Sequence, residues 1–296
     1  MTKIAAIDIG SNAVRFQVDR ILTHNGNTEF KRLEYIRFPL RLGHDVFTTG
    51  RISEDIKEKF LKLLHSFKLL IDLYEVSVVK ACATSAMREA ENGQHIAKLA
   101  EQAYDFPIEI IDGAQEAILI NKAIKPYIDE SMYLHIDVGG GSTELSILKN
   151  RERILSESFM IGSVRSLKQV YSASIWETMK RWVKVNVHRK YPGIKGIGTG
   201  GNINKIYNLT GKKLSKKISV NTINATINEI GRYSEEDRIN ILKLNPDRAD
   251  VIIPAAKIYL SVMEYAGINT IMVPEVGLKD GLIYSIYEDL TRQKVL

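Results

Sequence analysis

Two stretches of this chain repeat one order of residue types. Each is an apolar run ending at an aspartate, then a glycine turn, then a hydroxyl. The first is Ile4-Ala5-Ala6-Ile7-Asp8-Ile9-Gly10-Ser11-Asn12. The second, in the middle of the chain, is Leu134-His135-Ile136-Asp137-Val138-Gly139-Gly140-Gly141-Ser142-Thr143, with Glu144 directly behind it. A glycine turn exposes backbone N–H groups that together can hold phosphate oxygens. The aspartate before it offers oxygen ligands to a hard cation. One such turn serves a plain hairpin equally well. Two in the same order favour a clamp around a phosphorylated ligand.

Three further segments carry candidate groups. Gly198-Thr199-Gly200-Gly201 joins a strand to a helix, where glycines permit close backbone approach and the helix start favours an anion. A tight connection is the plainer reading. Ala83-Thr84-Ser85-Ala86-Met87-Arg88 stands at the matching place in the first half, and Arg88 offers a planar fork to a phosphate. Asp112-Gly113-Ala114-Gln115-Glu116 opens a helix, where an acid ordinarily just complements the dipole. Held in a cleft, Glu116 could instead orient or deprotonate a water attacking phosphorus. Glu144 points, by strand alternation, to the face opposite Thr143.

Other reactive types exclude more than they suggest. His44, His65, His95, His135 and His188 are scattered, without the ligand spacing of a zinc site. His135 shares a strand face with Asp137; it reads first as a core histidine with its bonds satisfied, second as a support for that aspartate. The single cysteine, Cys82, excludes an internal disulfide and sits in an apolar run, as a buried thiol does. No Walker A, GxSxG or GxGxxG motif is present.

The elements that must position these groups repeat as well. Each half reads strand–strand–strand–helix–strand–helix, an internal duplication of large units. In the first half a strand over 30–38 follows the opening pair, and residues 40–43 begin a loop. An amphipathic helix spans 52–74 with Ser53 as its N-cap, and a strand at 76–82 leads into a helix over 85–104. A strand at 108–111 and a helix over 114–124 complete it. Pro126 and the polar Asp129-Glu130-Ser131 mark a boundary, so the expected domains are 1–126 and 127–296, the last helix being free to pack back on the first. The second half places strands at 132–138, 143–149, 153–159, 194–198 and 270–273. Its helices fall near 163–170, 174–190, 222–232, 234–242 and 249–266, with one more after each of the glycine segments at 198–201 and 277–281.

Composition is that of an ordinary globular protein: 296 residues, 45% hydrophobic and 26% charged. No apolar run is long enough to span a membrane, and the chain enters a strand at once with no signal peptide, so a cytoplasmic, bacterial-type setting is expected. The net charge of +6 favours an anionic partner. Basic residues crowd 180–195 and 212–217, yet no nucleic-acid-binding signature accompanies them.

Taken together, five segments resemble the exopolyphosphatase / guanosine pentaphosphate phosphatase (Ppx/GppA) family of the actin-like ATPase superfamily. Asp8 to Asn12 with Arg15 is similar to its first phosphate motif. Ala83 to Arg88 matches its Ala-Thr-x-x-x-Arg segment, and Glu116 falls on its catalytic glutamate. Ile136 to Glu144 matches its second phosphate motif, and Gly198 to Gly201 its Gly-Thr-Gly-Gly. Weaker similarity appears at Arg41-Leu42-Gly43, Ile161 to Arg165 and Gly277 to Gly281. The resemblance implies an α/β fold of two ribonuclease-H-like domains, mixed sheets flanked by helices, with the active site in the cleft between them.

It further implies Glu116 and Glu144 as the catalytic acids and Asp8, Asp137 and Glu144 as holders of Mg²⁺, with Mn²⁺ the alternative and no organic cofactor. Phosphate would be held by Gly10, Ser11, Asn12, Arg15, Arg88, Gly139, Gly140, Gly141, Ser142, Thr143, Gly198, Thr199, Gly200 and Gly201. The implied substrates are polyphosphate and guanosine penta- or tetraphosphate, the implied assembly a homodimer, and no nucleic acid or membrane is involved. Two positions depart from the family pattern. Its paired acids before the alanine are here Gln115-Glu116, and its Gly-Leu-Arg-Glu-Gly is Gly277-Leu278-Lys279-Asp280-Gly281. Long members add C-terminal helical domains that this chain lacks. A non-catalytic guanosine tetraphosphate or polyphosphate sensor, and then a sugar or acetate-type kinase of the same fold, are the alternatives.

Overall fold

The computed structural model describes residues 2–167, 173–211 and 216–293. It falls into two units, Met1–Ala123 with Gly277–Leu296, and Ile124–Val276. In the first, β1 (Lys3–Ile9), β2 (Val14–His24) and β3 (Asn27–Phe38) form an antiparallel meander. Helices α1 (Leu42–Thr49) and α2 (Glu54–Leu73) follow, then β4 (Val78–Ala83), α3 (Ser85–Glu89), α4 (Gly93–Tyr104), β5 (Ile108–Ile110) and α5 (Gly113–Ile124). The sheet order is β3-β2-β1-β4-β5, with β4 and β5 parallel to β1.

The second unit starts with the meander β6 (Tyr133–Val138), β7 (Thr143–Lys149) and β8 (Glu152–Phe159). Then come α6 (Ser163–Leu167), α7 (Ala173–Val183), β9 (Lys195–Thr199), α8 (Gly201–Leu209), β10 (Lys217–Ser219) and α9 (Val220–Gly231). The unit closes with α10 (Glu235–Asn240), α11 (Pro246–Ala249), α12 (Ile252–Ala266) and β11 (Thr270–Met272). Its sheet runs β10-β11-β9-β6-β7-β8. Without the edge strand β10, this repeats the order and directions of the first sheet. The last helix, α13 (Leu278–Gln293), belongs to the first unit and packs on β1, β2 and β4.

Strand alternation explains why helices cover both faces of the first sheet. Phe16 of β2 stacks on Phe67 of α2 with ring centroids 4.8 Å apart, while its neighbour Gln17 reaches Asp280 of α13. In the second unit the core gathers Leu134, Ile136 and Val138 of β6 with Ile258, Tyr259 and Val262 of α12. Burying such side chains contributes about 1.5–3 kcal/mol each.

The helix expected over 85–104 is two helices. The break falls at Ala90, which is extended, and Asn92 just before α4 ties to the backbone of Ile52, accepting its N–H at 3.0 Å and donating to its carbonyl at 2.8 Å. Residues expected to begin a loop at 40–43 lead into α1, entered through Arg41 in the left-handed region. The expected helix 163–170 is seen to Leu167 and otherwise lies outside the described residues, as do Lys212 and Lys213. Among the described residues, no helix is long and apolar enough to cross a membrane.

Candidate functional site

The second aspartate–glycine turn is built into a lateral row of four side chains. Asp137 on β6 lies directly opposite Glu144 on β7, and each offers a carboxylate oxygen within 4.8 Å of the other. Glu144 in turn lies opposite Ser158 on β8, and Asp137 opposite Thr199 on β9. Ser158 Oγ donates to Glu144 Oε1 at 3.0 Å, and Thr199 Oγ1 donates to Asp137 Oδ1 at 2.7 Å. Both acids are buried. Like charges directly opposite in an antiparallel pair repel, and burial removes the water that would screen them. Two hydroxyls offset this only in part. The row supplies the hard oxygen donors that a divalent cation takes.

Two more buried groups close on Thr199. His135 Nε2 stands 2.7 Å from Thr199 Oγ1, and burial lowers the imidazole pKa to about 3, so the ring is neutral. Tyr259 Oη, from α12, accepts the Val138 N–H at 3.2 Å and donates to the Thr199 carbonyl. Burial, reinforced by the charge of Asp137, pushes the Tyr259 hydroxyl well above its usual pKa. Gly200 follows at φ 120°, where a Cβ would stand 3.0 Å from Tyr259 Oη, so only glycine suits that corner. Thr199, expected to hold phosphate, thus places its hydroxyl inside the sheet against Asp137.

The turn has its carbonyls occupied from α6. Gly139 O accepts from Ser163 N at 3.0 Å, Gly140 O from Val164 N at 2.9 Å, and Gly141 O from Arg165 Nε at 2.8 Å. Gly162 permits this approach, because a Cβ there would come 2.4 Å from Gly140 O. The side chain of Thr143 leaves by the opposite face, donating to Ile161 O at 2.6 Å.

The first turn repeats the scaffold with different charges. Gly43 N and Arg41 N, entering α1, bond to Ser11 O at 2.7 Å and Asn12 O at 3.0 Å. Ser11 Oγ meets Ser85 Oγ at 2.8 Å. Here the row across the sheet reads Arg37, Arg15, Asp8, Cys82, Glu109. Opposite Asp8 stands Arg15, whose Nη1 is 2.8 Å from Asp8 Oδ2. Where the second unit sets acid against acid, the first sets acid against guanidinium. Asp8 and Arg15 are brought together, and the charge of Asp8 is met inside its own unit.

Cys82 lies between Asp8 and Glu109 in that row. Burial, helped by those carboxylates, pushes its thiol up to about 12 from the ordinary 9.0. Below pH 9 folded and unfolded chains both keep the proton. Between 9 and 12 only the unfolded chain gives it up, so stability falls as pH rises, by at most about 1.4 kcal/mol per pH unit from this group. Denaturant midpoints at pH 8 and pH 10.5 check this. Cys82→Ala should shrink the loss between the two pH values, and an unchanged difference would refute the assignment.

Glu116 is buried in the first turn of α5, its N–H bonded to Asp112 O at 3.0 Å. Arg88 Nη1 donates to Ile111 O at 2.6 Å and so secures the approach to that helix. Gln115 closes a reciprocal cap: its Oε1 accepts from Asp112 N at 2.9 Å, and its N–H donates to Asp112 Oδ1 at 2.8 Å. A glutamine serves this box as well as an acid does, which gives the departure at Gln115 a structural role. Gln115→Ala should cost about 0.5–2 kcal/mol by thermal unfolding, while Gln115→Glu should leave stability within about 0.5 kcal/mol of the parent. Equal losses in both would remove the capping role. At the other departure, buried Lys279 gives its ammonium to Asp280 Oδ2 at 2.5 Å and lies 5.4 Å from the Tyr35 ring centre.

Ser158 and Tyr259 were not singled out from the sequence. Period-two alternation on β8 could have offered Ser158 as a neighbour of Glu144; nothing local marks Tyr259.

The model of the Ppx/GppA phosphatase family matches residues 21–290. Exopolyphosphatase 2 of Mycobacterium tuberculosis is 25% identical over 317 aligned residues, covering 97% of this chain and 99% of that protein. The crystal structure of the Aquifex aeolicus Ppx/GppA family member shares 25% identity at a TM-score of 0.77, covering 97% and 98% of the two chains. An exopolyphosphatase structure from Cytophaga hutchinsonii, at 23% identity and TM-score 0.85 with the same coverage, is similar in fold.

Proposed function

The chain belongs to the Ppx/GppA phosphatase family, and from that premise we propose that it is an exopolyphosphatase-type hydrolase releasing terminal orthophosphate from inorganic polyphosphate. The observation that carries the reading is the row of facing buried carboxylates beside a glycine turn. Asp137 and Glu144 are the proposed holders of a divalent cation, Mg²⁺ first and Mn²⁺ second. When bound, the cation neutralises charge on the phosphoryl oxygens.

The chain's own groups supply the remainder. The turns Gly10–Asn12 and Gly139–Ser142, their carbonyls drawn toward α1 and α6, are the proposed phosphate cradles. Glu116 is the proposed base: the water oxygen bonds to the terminal phosphorus, its proton passes to the glutamate, and the anhydride P–O bond breaks with its electron pair on the shortened polymer. Arg88, Arg15 and the backbone of the Gly198–Gly201 segment are proposed supports of the phosphate. Guanosine pentaphosphate is the second proposed substrate.

A phosphate-release panel tests this: short and long polyphosphate, guanosine pentaphosphate and ATP, each with Mg²⁺ or Mn²⁺. Orthophosphate from polyphosphate, abolished by chelation, is expected. Tight polyphosphate binding without turnover under every divalent ion would replace the hydrolase with a sensor.

A further inference from the structure

We infer that His135 is a positioning residue for the cation site, acting through Thr199 on Asp137. The inference rests on the reading of Asp137 as a cation ligand and goes beyond it, because it assigns a role to His135 through its bond to Thr199.

Proton accounting gives the relay its direction. The Thr199 hydroxyl has one proton, and it goes to Asp137 Oδ1 at 2.7 Å. The imidazole nitrogen 2.7 Å from the same oxygen must then be the donor. His135 is thereby held as the Nε2–H tautomer, and the order of donation runs imidazole to hydroxyl to carboxylate. With a donor on one side and the carboxylate on the other, the hydroxyl has one low-energy orientation. An apolar residue would fit β6 with less desolvation cost: Leu134, Ile136 and Val138 fill its other face, and His135 is as deeply buried as they are. Its placement is therefore explained by what it bonds to rather than by packing.

Groups behind a metal ligand set its orientation, and their loss typically weakens metal affinity about 10–100-fold. His135→Leu should raise the Mn²⁺ concentration needed for half-maximal thermal stabilisation by about that factor, and the concentration needed for half-maximal phosphate release with it. KM for polyphosphate should stay within about twofold, since the cradle is untouched. His135→Gln, whose amide can donate where Nε2 did, should recover most of the loss. Thr199→Val should match His135→Leu, and the double variant should be no worse than either, as members of one chain are non-additive.

Asp137→Asn, measured alongside, separates the two levels. If Asp137→Asn binds Mn²⁺ as the parent does, the cation site itself is misassigned. If Asp137→Asn loses the metal while His135→Leu titrates like the parent, the relay is wrong and the site stands. Additive losses in the double variant also overturn the relay. Should His135→Leu fail to fold, Thr199→Val against Thr199→Ser carries the comparison, the serine keeping the hydroxyl and the valine losing it.

Discussion

Glu144→Gln should release orthophosphate at least about 10³-fold more slowly than the parent, and yet, in chelator, melt a few degrees higher. The first half follows from removing a charged oxygen donor: a cation at a phosphoryl centre is worth several kcal/mol, and each 1.36 kcal/mol is tenfold in rate. The second half follows from the register. Two charges within 4.8 Å repel by about 3 kcal/mol at the effective dielectric of a protein site. The hydroxyls of Ser158 and Thr199 offset part of this, so the gain from removing one charge is a fraction of it. A gain of about 1 kcal/mol corresponds to roughly 2–4 °C for a unit of this size. Glutamine keeps the shape and still accepts from Ser158 Oγ through its carbonyl oxygen. Differential scanning fluorimetry with EDTA and with Mn²⁺ checks both signs. A variant that melts lower in EDTA and still gains stability from Mn²⁺ would show that the facing acids are not the cation site.

The same pair shows what a sequence discloses and what it withholds. Asp137, the glycines and Glu144 are legible because they lie within one strand–turn–strand, where spacing and alternation govern. The row that makes them a site is assembled from β8 and β9, and nothing in one strand states which rung of another it meets. Thr199 therefore read as part of a glycine-rich phosphate segment, although its hydroxyl turns inward. Tyr259 stands sixty residues from the carbonyl it binds, on a largely apolar helix where nothing marks it out. The fold was more open to reading, since strands of a duplicated unit announce themselves by alternation. The exceptions were local and cooperative: Arg41 takes a left-handed conformation where its N–H bonds to Asn12 O, and the chain breaks at Ala90 so that Asn92 can bond the backbone of Ile52. In each case a tertiary bond outweighs a local cost on the order of 1–2 kcal/mol.

The duplicated rows also divide the labour between the halves. At equivalent rungs Asp8 meets Arg15 and Asp137 meets Glu144, so one framework is neutral where the other is doubly negative. A polyphosphate end carries negative charge that only the first arrangement tolerates unaided. On the proposed reading, the second tolerates it after taking up a cation. Arg15 thus serves Asp8 and, on the proposed reading, phosphate as well. On that reading, anion and cation are each given a row suited to them.

That division sharpens what Glu116→Gln should do. Glu116 lies at the start of α5, in a helix turn secured by the Asp112–Gln115 box and by Arg88 on Ile111 O. Replacing its carboxylate by an amide removes a base without altering the capping bonds, so melting temperature in chelator should move by no more than about 1–2 °C. Stabilisation by Mn²⁺ should survive within a few-fold, because Asp137 and Glu144 remain. Phosphate release should fall about 10²–10⁴-fold, the usual contribution of a positioned general base, with the loss in kcat and KM for polyphosphate near that of the parent. Side by side, Glu144→Gln loses the metal response and the rate, and Glu116→Gln loses only the rate. If both variants lose the metal response together, Glu116 is a ligand rather than the base. If Glu116→Gln turns over like the parent, the water is activated by some other group, and the proposed chemistry has to be rebuilt around it.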